Sequence, residues 1–172
     1  SAEIPVALVA LDARFRARSL RGERTIEWPD FFQGPMTTCL EPDELLVEVE
    51  VPPVPAGSGH AFTEYSRRHG DYGLGGAAVR LTLDGDGRCS DAAISLLGAA
   101  PTPLRADAAE RLLVGAAIDE RAAAQAAEAA TEGITPSGDL HGSSAYRRSL
   151  ITVLVRRAIV TAGSRAQENI DG

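Results

Sequence analysis

The sequence predicts an α+β fold, an antiparallel sheet packed with C-terminal helices. Two observations carry that expectation. Apolar and polar residues alternate with period two through most of the chain up to residue 97, and alanine-rich helical periodicity takes over from residue 103. Strands that precede helices, instead of alternating with them, favour an antiparallel sheet over a doubly wound one. At 172 residues the chain suits one domain of ordinary size, or a small domain plus part of another.

Residues 4–11 (IPVALVAL) read as a strand or a short helix, since a continuous apolar run does not separate the two. RFRARSL and GERTIEW alternate around Arg21-Gly22, which predicts a hairpin with strands at 14–19 and 23–28. Pro29-Asp30-Phe31-Phe32 reads as a turn that tucks two aromatics under the sheet. ELLVEVEVP (44–52) alternates and stops at a proline, the pattern of a strand. PPVPAGSG then reads as a linker: the prolines stiffen it and the glycines and serine free it. That divides the chain into a first unit over 1–52, a linker over 53–59 and a second domain over 60–166.

In the second domain HAFTEYSRR alternates again, and AVRLTL and AAISLL flank Asp84-Gly85-Asp86-Gly87 as a hairpin. Leu104, Ala108, Arg111, Leu112 and Gly115 suit a short helix, and DERAAAQAAEAATEG has strong helix propensity. Gly142-Ser143-Ser144 offers an N-cap for a last helix over about 144–162, with 167–172 as a flexible tail.

With 44% apolar and 24% charged residues, the composition is that of a globular protein. No apolar run reaches the roughly 18–20 residues that span a bilayer. SAEIPVALVALDA has an acidic residue ahead of its apolar patch and no basic stretch, so it does not read as a signal peptide. The expected location is the cytoplasm. The net charge of −7 argues against nucleic acid as a partner. Every basic residue is arginine, which excludes Schiff-base chemistry and a P-loop lysine within the chain. Cys39 and Cys89 lie far apart and read as reduced thiols.

Gly73-Leu74-Gly75-Gly76-Ala77-Ala78 matches G-x-G-x-x-A, but a strand follows it where the dinucleotide mechanism requires a helix. Small residues there suit a close backbone approach. Asp84-Gly85-Asp86-Gly87-Arg88 begins like a calcium loop, yet arginine takes a ligand position and no glutamate closes it. His60, His69 and His141 are too dispersed for a metal site, and no GxSxG nucleophile elbow occurs. Arg67-Arg68-His69-Gly70-Asp71 remains. It reads either as a solvated loop with weak ion pairs, or as a polar loop beside an electron-rich cofactor. No nucleophile–base set supports a small stand-alone enzyme.

The order of segments resembles the flavin-bearing medium subunit of the molybdenum hydroxylases, the xanthine dehydrogenase and carbon monoxide dehydrogenase family. VALVALDARFRARSLRGERTI and DFFQGPMTTCLEPDELLVEVEVP resemble the end of its second FAD subdomain. AFTEYSRRHGDYGLGGAAVRL, AAISLLGAAPTPLRADAAERLLVG and GSSAYRRSLITVLVRRAI resemble its C-terminal flavoprotein domain. The resemblance implies that Leu40 and Leu46 pack against the isoalloxazine ring, that Glu3 stands where relatives place an aspartate in the FAD site, and that Thr63 stands where animal xanthine dehydrogenases have a lysine near the flavin. It places Arg67 to Asp71 beside the flavin edge, and gives Tyr146 and Arg147 to packing or a subunit contact.

It further implies a large subunit carrying molybdopterin, a small subunit carrying two [2Fe–2S] clusters, and electron flow through FAD to an acceptor. The family's glycine-rich pyrophosphate loop and asparagine motif have no counterpart in these residues. The expectation is therefore a C-terminal half whose FAD site is partial, weak or silent until the N-terminal half of the subunit completes it. The alternative is a structural, subunit-docking domain that binds no FAD by itself.

Overall fold

Strands β6 (Ser58–Tyr65), β7 (Gly75–Leu83), β8 (Cys89–Leu97) and β9 (Leu104–Arg105) form an antiparallel sheet in the order β6-β7-β8-β9. The computed structural model describes residues 2–171. One face of this sheet carries helices α3 (Asp107–Leu113), α4 (Glu120–Ala130) and α5 (Ser144–Asp171). The other face receives α1 (Glu3–Ala10), whose Val6 and Ala10 pack on Ala78 and Leu97. A smaller antiparallel sheet, in the order β2-β1-β5, is built from β1 (Arg14–Ser19), β2 (Gly22–Glu27) and β5 (Leu45–Glu50). Between β2 and β5 lie the single turn α2 (Trp28–Phe31) and the β3–β4 pair, Phe32–Gly34 with Thr37–Thr38.

The α+β reading holds. The ambiguous run at residues 4–11 folds as a helix, which buries Val6, Val9 and Ala10 against the larger sheet. The 84–87 hairpin closes as its residues demand: Asp84 Oδ1 accepts from the N–H groups of Asp86 and Arg88 at 3.0 and 2.9 Å, and Gly87 takes φ +72°. Phe31 stacks on Phe15 with ring centroids 3.9 Å apart, so the first of the two aromatics does sit under the small sheet.

Three boundaries differ from the sequence reading, each for a packing reason. Ser58 and Gly59, assigned above to a linker over 53–59, are buried residues of β6. A Cβ at Gly59 would overlap Ala162 O and Ala166 N, so this glycine lets α5 lie against the strand and does not loosen the chain. Leu104 pairs with Leu96 as an edge strand, and the helix starts at Asp107. The last helix continues past 162 and through the expected tail as far as Asp171. There Asn169 Nδ2 donates to Ser58 O at 2.8 Å, and Ile170 lies beside Gly57, giving these residues tertiary partners.

The core between sheet and helices is unusually rich in alanine. Ala123, Ala126, Ala127 and Ala130 of α4 are buried, as are Ala158, Ala162 and Ala166 of α5, packed with Leu81, Ile94, Leu96, Ile151 and Ile159. Small side chains on the helices allow close approach, and the large aliphatics each contribute roughly 1.5–3 kcal/mol on burial. No helix among the described residues is long and apolar enough to cross a membrane.

The two sequence units are fastened together at Asp12, which adopts φ +52° just after α1. Its Oδ2 accepts from Arg80 Nη2 at 2.6 Å and its Oδ1 from Arg105 Nη1 at 2.7 Å. Both guanidiniums are largely buried and also donate to the end of α1, at Ala10 O and Val9 O. Arg105 further pairs with Glu110 and lies over the Trp28 ring. Glu110 in turn accepts from Ile94 N at 2.7 Å. An unpaired buried arginine would be costly, so the shared aspartate ties α1 and α2 to the larger sheet.

Candidate functional site

The crowded segment between β6 and β7 is a short closed loop. Leu74 N donates to Tyr65 O at 2.8 Å across its base, Asp71 N donates to Arg68 O at 3.1 Å, and Ser66 Oγ donates to the same carbonyl at 3.0 Å. Gly70 at φ +90° completes the turn. Arg67, Arg68, His69, Asp71 and Tyr72 are all exposed on it.

This loop separates cavities of opposite character. On the side of α5 is a cavity of about 800 Å³ bordered by Arg67, Arg68, Asp71, Asp139, His141 and Arg147. On the side of α1 is one of about 520 Å³, bordered by Glu3, Glu64, His69 and Asp71. Tyr72, 86% exposed, borders both, and also a third of about 420 Å³ among Val6, Phe32, Met36 and Leu96.

The charges follow the same division. Arg147 is buried at the start of α5, where Nη2 donates to Asp139 Oδ2 at 2.6 Å and Nη1 to Leu74 O at 3.3 Å. Asp139 also accepts from the N–H groups of His141 and Gly142. The Arg147 hydrogen bond, with that of His141 N next, holds its carboxyl below the usual aspartate range. Arg67 Nη1 lies 2.5 Å from His141 Nδ1, a contact in which arginine donates and the imidazole nitrogen accepts. On the other side, burial pushes the Glu64 carboxyl above its usual range, and the neighbouring Glu3 carboxylate adds to that rise.

The four positions singled out from the sequence fall in two places. Leu40 packs at the margin of the cluster formed by Phe15, Ala17, Ile26 and Phe31. Leu46 is opposite Ala17 and so lies on the same face of the small sheet, 41% exposed. A bulge at Val47 produces this arrangement, because it puts both Leu46 and Val49 on the Phe15–Ala17 face. Simple alternation in β5 would have separated them. Arg24 fixes the approach to Leu40. Its guanidinium forks onto both Glu44 oxygens at 2.7 and 2.8 Å and donates to Cys39 O at 3.0 Å.

Glu3 stands beside Glu64, on the α1 side of the larger sheet. Thr63 is on the opposite face of β6, where its hydroxyl donates to Leu154 O of α5 at 3.0 Å. Tyr146 remains half-exposed, while Arg147 is a packing residue. Sequence reasoning missed Tyr72, the Glu64 carboxyl and the meeting of Asp139 and His141 with the arginine loop. Tyr72 stands next to the Arg67–Asp71 segment in the sequence, but the partners at 139–147 come together with it only through the tertiary fold.

The glycine motif after the loop runs straight into β7. A Cβ at Gly76 would lie 2.5 Å from Thr63 O, and one at Gly75 2.6 Å from Ile151 Cγ1, so these glycines permit strand and helix packing. Their backbone is committed to the β6–β7–β8 ladder and is not free to cradle a diphosphate. No cluster of metal-ligating side chains occurs among the described residues.

A family model for the CO dehydrogenase flavoprotein C-terminal domain matches residues 60–162. The chain belongs to this family. A second model, for the FAD binding domain in molybdopterin dehydrogenase, matches residues 1–54, so the junction at Asp12, Arg80 and Arg105 joins the two matched segments. The chain is 45% identical over 97% of its length to the 6-hydroxypseudooxynicotine dehydrogenase complex subunit alpha of Paenarthrobacter nicotinovorans. It is 36% identical over 96% of its length to the carbon monoxide dehydrogenase medium chain of Afipia carboxidovorans. It spans 56% and 57% of those relatives, respectively. Among solved structures, quinoline 2-oxidoreductase from Pseudomonas putida 86 superposes with a TM-score of 0.88 at 42% identity, covering 96% of this chain and 57% of that one. The Cu,Mo-CO dehydrogenase superposes with the same TM-score at 36% identity, covering 94% and 56%.

Proposed function

We propose that this chain is the C-terminal part of the FAD subunit of a molybdenum-containing hydroxylase, closing one wall of the flavin site and docking the other subunits. The observation that carries the reading is the junction at Asp12. It fixes a segment matched to an FAD-binding domain rigidly against a flavoprotein C-terminal domain, with exposed apolar side chains at hand. FAD is a fit for those side chains in part. Leu46 and Phe62 are each 41% exposed and Tyr72 is 86% exposed, surfaces suited to a flat apolar ring. The diphosphate is a poorer fit, since the glycines that could approach it are spent in the sheet.

In this reading Leu40 and Leu46 exclude water from one side of the ring, and Glu3 with Glu64 supplies a polar, acidic edge. Thr63 contributes as part of the β6 edge, its hydroxyl being committed to α5. The flavin, when bound, supplies an acceptor for electrons arriving one at a time and a donor to the final acceptor. The partners are a large molybdopterin-bearing subunit, a small subunit with two [2Fe–2S] clusters, and the N-terminal half of the FAD subunit, in the cytoplasm. The isolated chain is not catalytic by itself.

A second reading, a docking domain that holds no flavin, is favoured by the exposure of every residue of β5. Calorimetric titration of the chain with FAD, repeated after adding the N-terminal half in trans, separates the two. Weak or absent binding alone and tight binding in the mixture is the expected result. Tight binding by the chain alone contradicts the partial site, and no binding in either case leaves the docking role.

A further inference from the structure

The cavity beside the β3–β4 turn differs from the other two in carrying no charge. It holds about 420 Å³ between α1, that turn and the segment from Gly98 to Pro103, and no arginine, histidine, aspartate or glutamate lines it. In a chain with 24% charged residues, a lining without any suits an uncharged ligand. Phe32, Pro5, Pro35, Pro101 and Pro103 border it, and Met36 stands at the rim with φ +55° and its side chain fully exposed. Proline side chains have almost no rotamer freedom to lose, so much of this surface is ordered before a ligand arrives. The polar groups present are hydroxyls with hydrogens to give. Thr38 Oγ1 accepts from Leu40 N at 3.4 Å, which leaves its own O–H free to donate. The hydroxyls of Thr102 and Tyr72 have no hydrogen-bond partner among the described residues. A ligand matched to this lining is flat and neutral, with acceptor oxygens at its edge.

We propose that this cavity receives the final electron acceptor, and that the acceptor is a quinone. The inference rests on the flavin reading for its purpose. The cavity meets the flavin side of the molecule at two points: Tyr72 also borders the cavity at Glu3, and Thr38 is bonded to the N–H of Leu40. A volume of about 420 Å³ is within the range of roughly 300–1,000 Å³ usual for small-molecule sites. The carbonyl oxygens of a quinone are acceptors that the Thr38 and Thr102 hydroxyls can serve, and its ring suits Phe32 and the prolines. Two electrons and two protons, the same complement that a reduced flavin gives up, convert a quinone to a quinol. The ligand is therefore neutral before and after the exchange. A pyridine dinucleotide is disfavoured by the same chemistry, because its diphosphate carries negative charge and no cation in the lining would meet it.

The test uses the chain alone, without FAD, so its failure is separate from failure of the flavin reading, which the mixed halves decide. Duroquinone is the probe, because its fully substituted ring resists addition of the Cys39 and Cys89 thiols. Duroquinone and NADH are titrated calorimetrically into the wild-type chain and into T102V and A100F. Saturable binding of duroquinone is expected, with NADH weaker by about tenfold or more. Thr102→Val removes one donor at nearly constant shape and should weaken duroquinone roughly fivefold. Ala100→Phe fills the cavity from a half-buried loop position and should abolish binding. Melting temperatures show whether A100F is folded, and T102V decides the matter if it is not. Absence of saturable heat, NADH binding as tightly as duroquinone, or wild-type affinity in T102V or in folded A100F would overturn the proposal.

Discussion

The two main sheets of this molecule differ in composition and in how they are finished: the smaller carries many arginines and glutamates, the larger mostly alanine and large aliphatics. In the larger sheet β7 and β8 are buried along nearly their whole length between α1 and the three C-terminal helices. In the smaller one every residue of β5 is exposed, although Leu45, Leu46, Val47 and Val49 are apolar. The larger sheet is held by dense aliphatic packing. The smaller is held by one aromatic cluster and by ion pairs on its surface, such as Arg14–Glu27 and Arg18–Glu23. Exposed pairs of that kind contribute little individually. The difference teaches that the larger sheet is a complete hydrophobic unit, and that the smaller one offers a face and an edge to something else.

The sharpest way to break the larger sheet is at its closest helix contact. Gly59→Val puts a branched side chain where even a Cβ overlaps the α5 backbone at Ala162 and Ala166. Neither partner is a flexible side-chain end, so the strand or the helix must move. The expected loss is about 3 kcal/mol or more, read as a fall in the urea midpoint. An unchanged midpoint would show that α5 is not packed on β6 as described.

Acidity distinguishes the sheets by sign. Glu64, on the larger sheet, has its folded-state carboxyl raised above the ordinary 4.5, by burial first and Glu3 second. The folded state then holds that proton more tightly than the unfolded chain does. This contribution is present below about 4.5 and is lost as the pH rises through the raised value. Glu44, just ahead of β5 of the smaller sheet, is lowered to about 2, by its Arg24 hydrogen bond first and that of Glu41 N second. Its contribution is present above 4.5 and is lost as the pH falls towards 2. Urea midpoints followed across pH should therefore respond oppositely. Glu64→Gln should remove a decline on the rising side of 4.5, and Glu44→Gln should flatten the acid limb. Parallel changes in both variants would contradict the contrast.

Much of this fold is legible in the sequence where local chemistry decides it. The Asp84–Gly87 turn, the Gly22 turn and the Ser143 cap of α5, whose Oγ accepts from Tyr146 N, need no tertiary information. What misleads is a residue whose local and tertiary meanings differ. Gly59 looks like a flexible linker and is a contact point. Residues 167–171 look like a polar tail and extend a helix, because Asn169 finds Ser58 O. Val47 looks like one more alternating residue and is a bulge that turns Leu46 to the other face. From residue chemistry alone the candidate site is legible only as the Arg67–Asp71 loop, and the family resemblance adds Glu3, Leu40, Leu46 and Thr63. Its partners Glu3, Asp139, His141 and Arg147 are distant in sequence, and no local spacing announces that the fold will collect them.

The smallest change in stability is expected where the comparison makes its boldest claim. Leu45 is 73% exposed at the start of β5 and pairs with Arg18 on the outer face of the small sheet. If that sheet were a finished surface, Leu45→Ser would be one more neutral surface substitution in every assay. If the sheet is an interface, the variant should still keep its urea midpoint to within about 0.5 kcal/mol, since little burial is lost in the isolated chain. Its association with the N-terminal half of the FAD subunit should nevertheless weaken by about tenfold, because an apolar side chain buried on docking has been removed. Titration of one half with the other measures this directly. Unchanged association would move the interface away from the outer face of β5, leaving Leu46 and the Phe15 side as the covered surface.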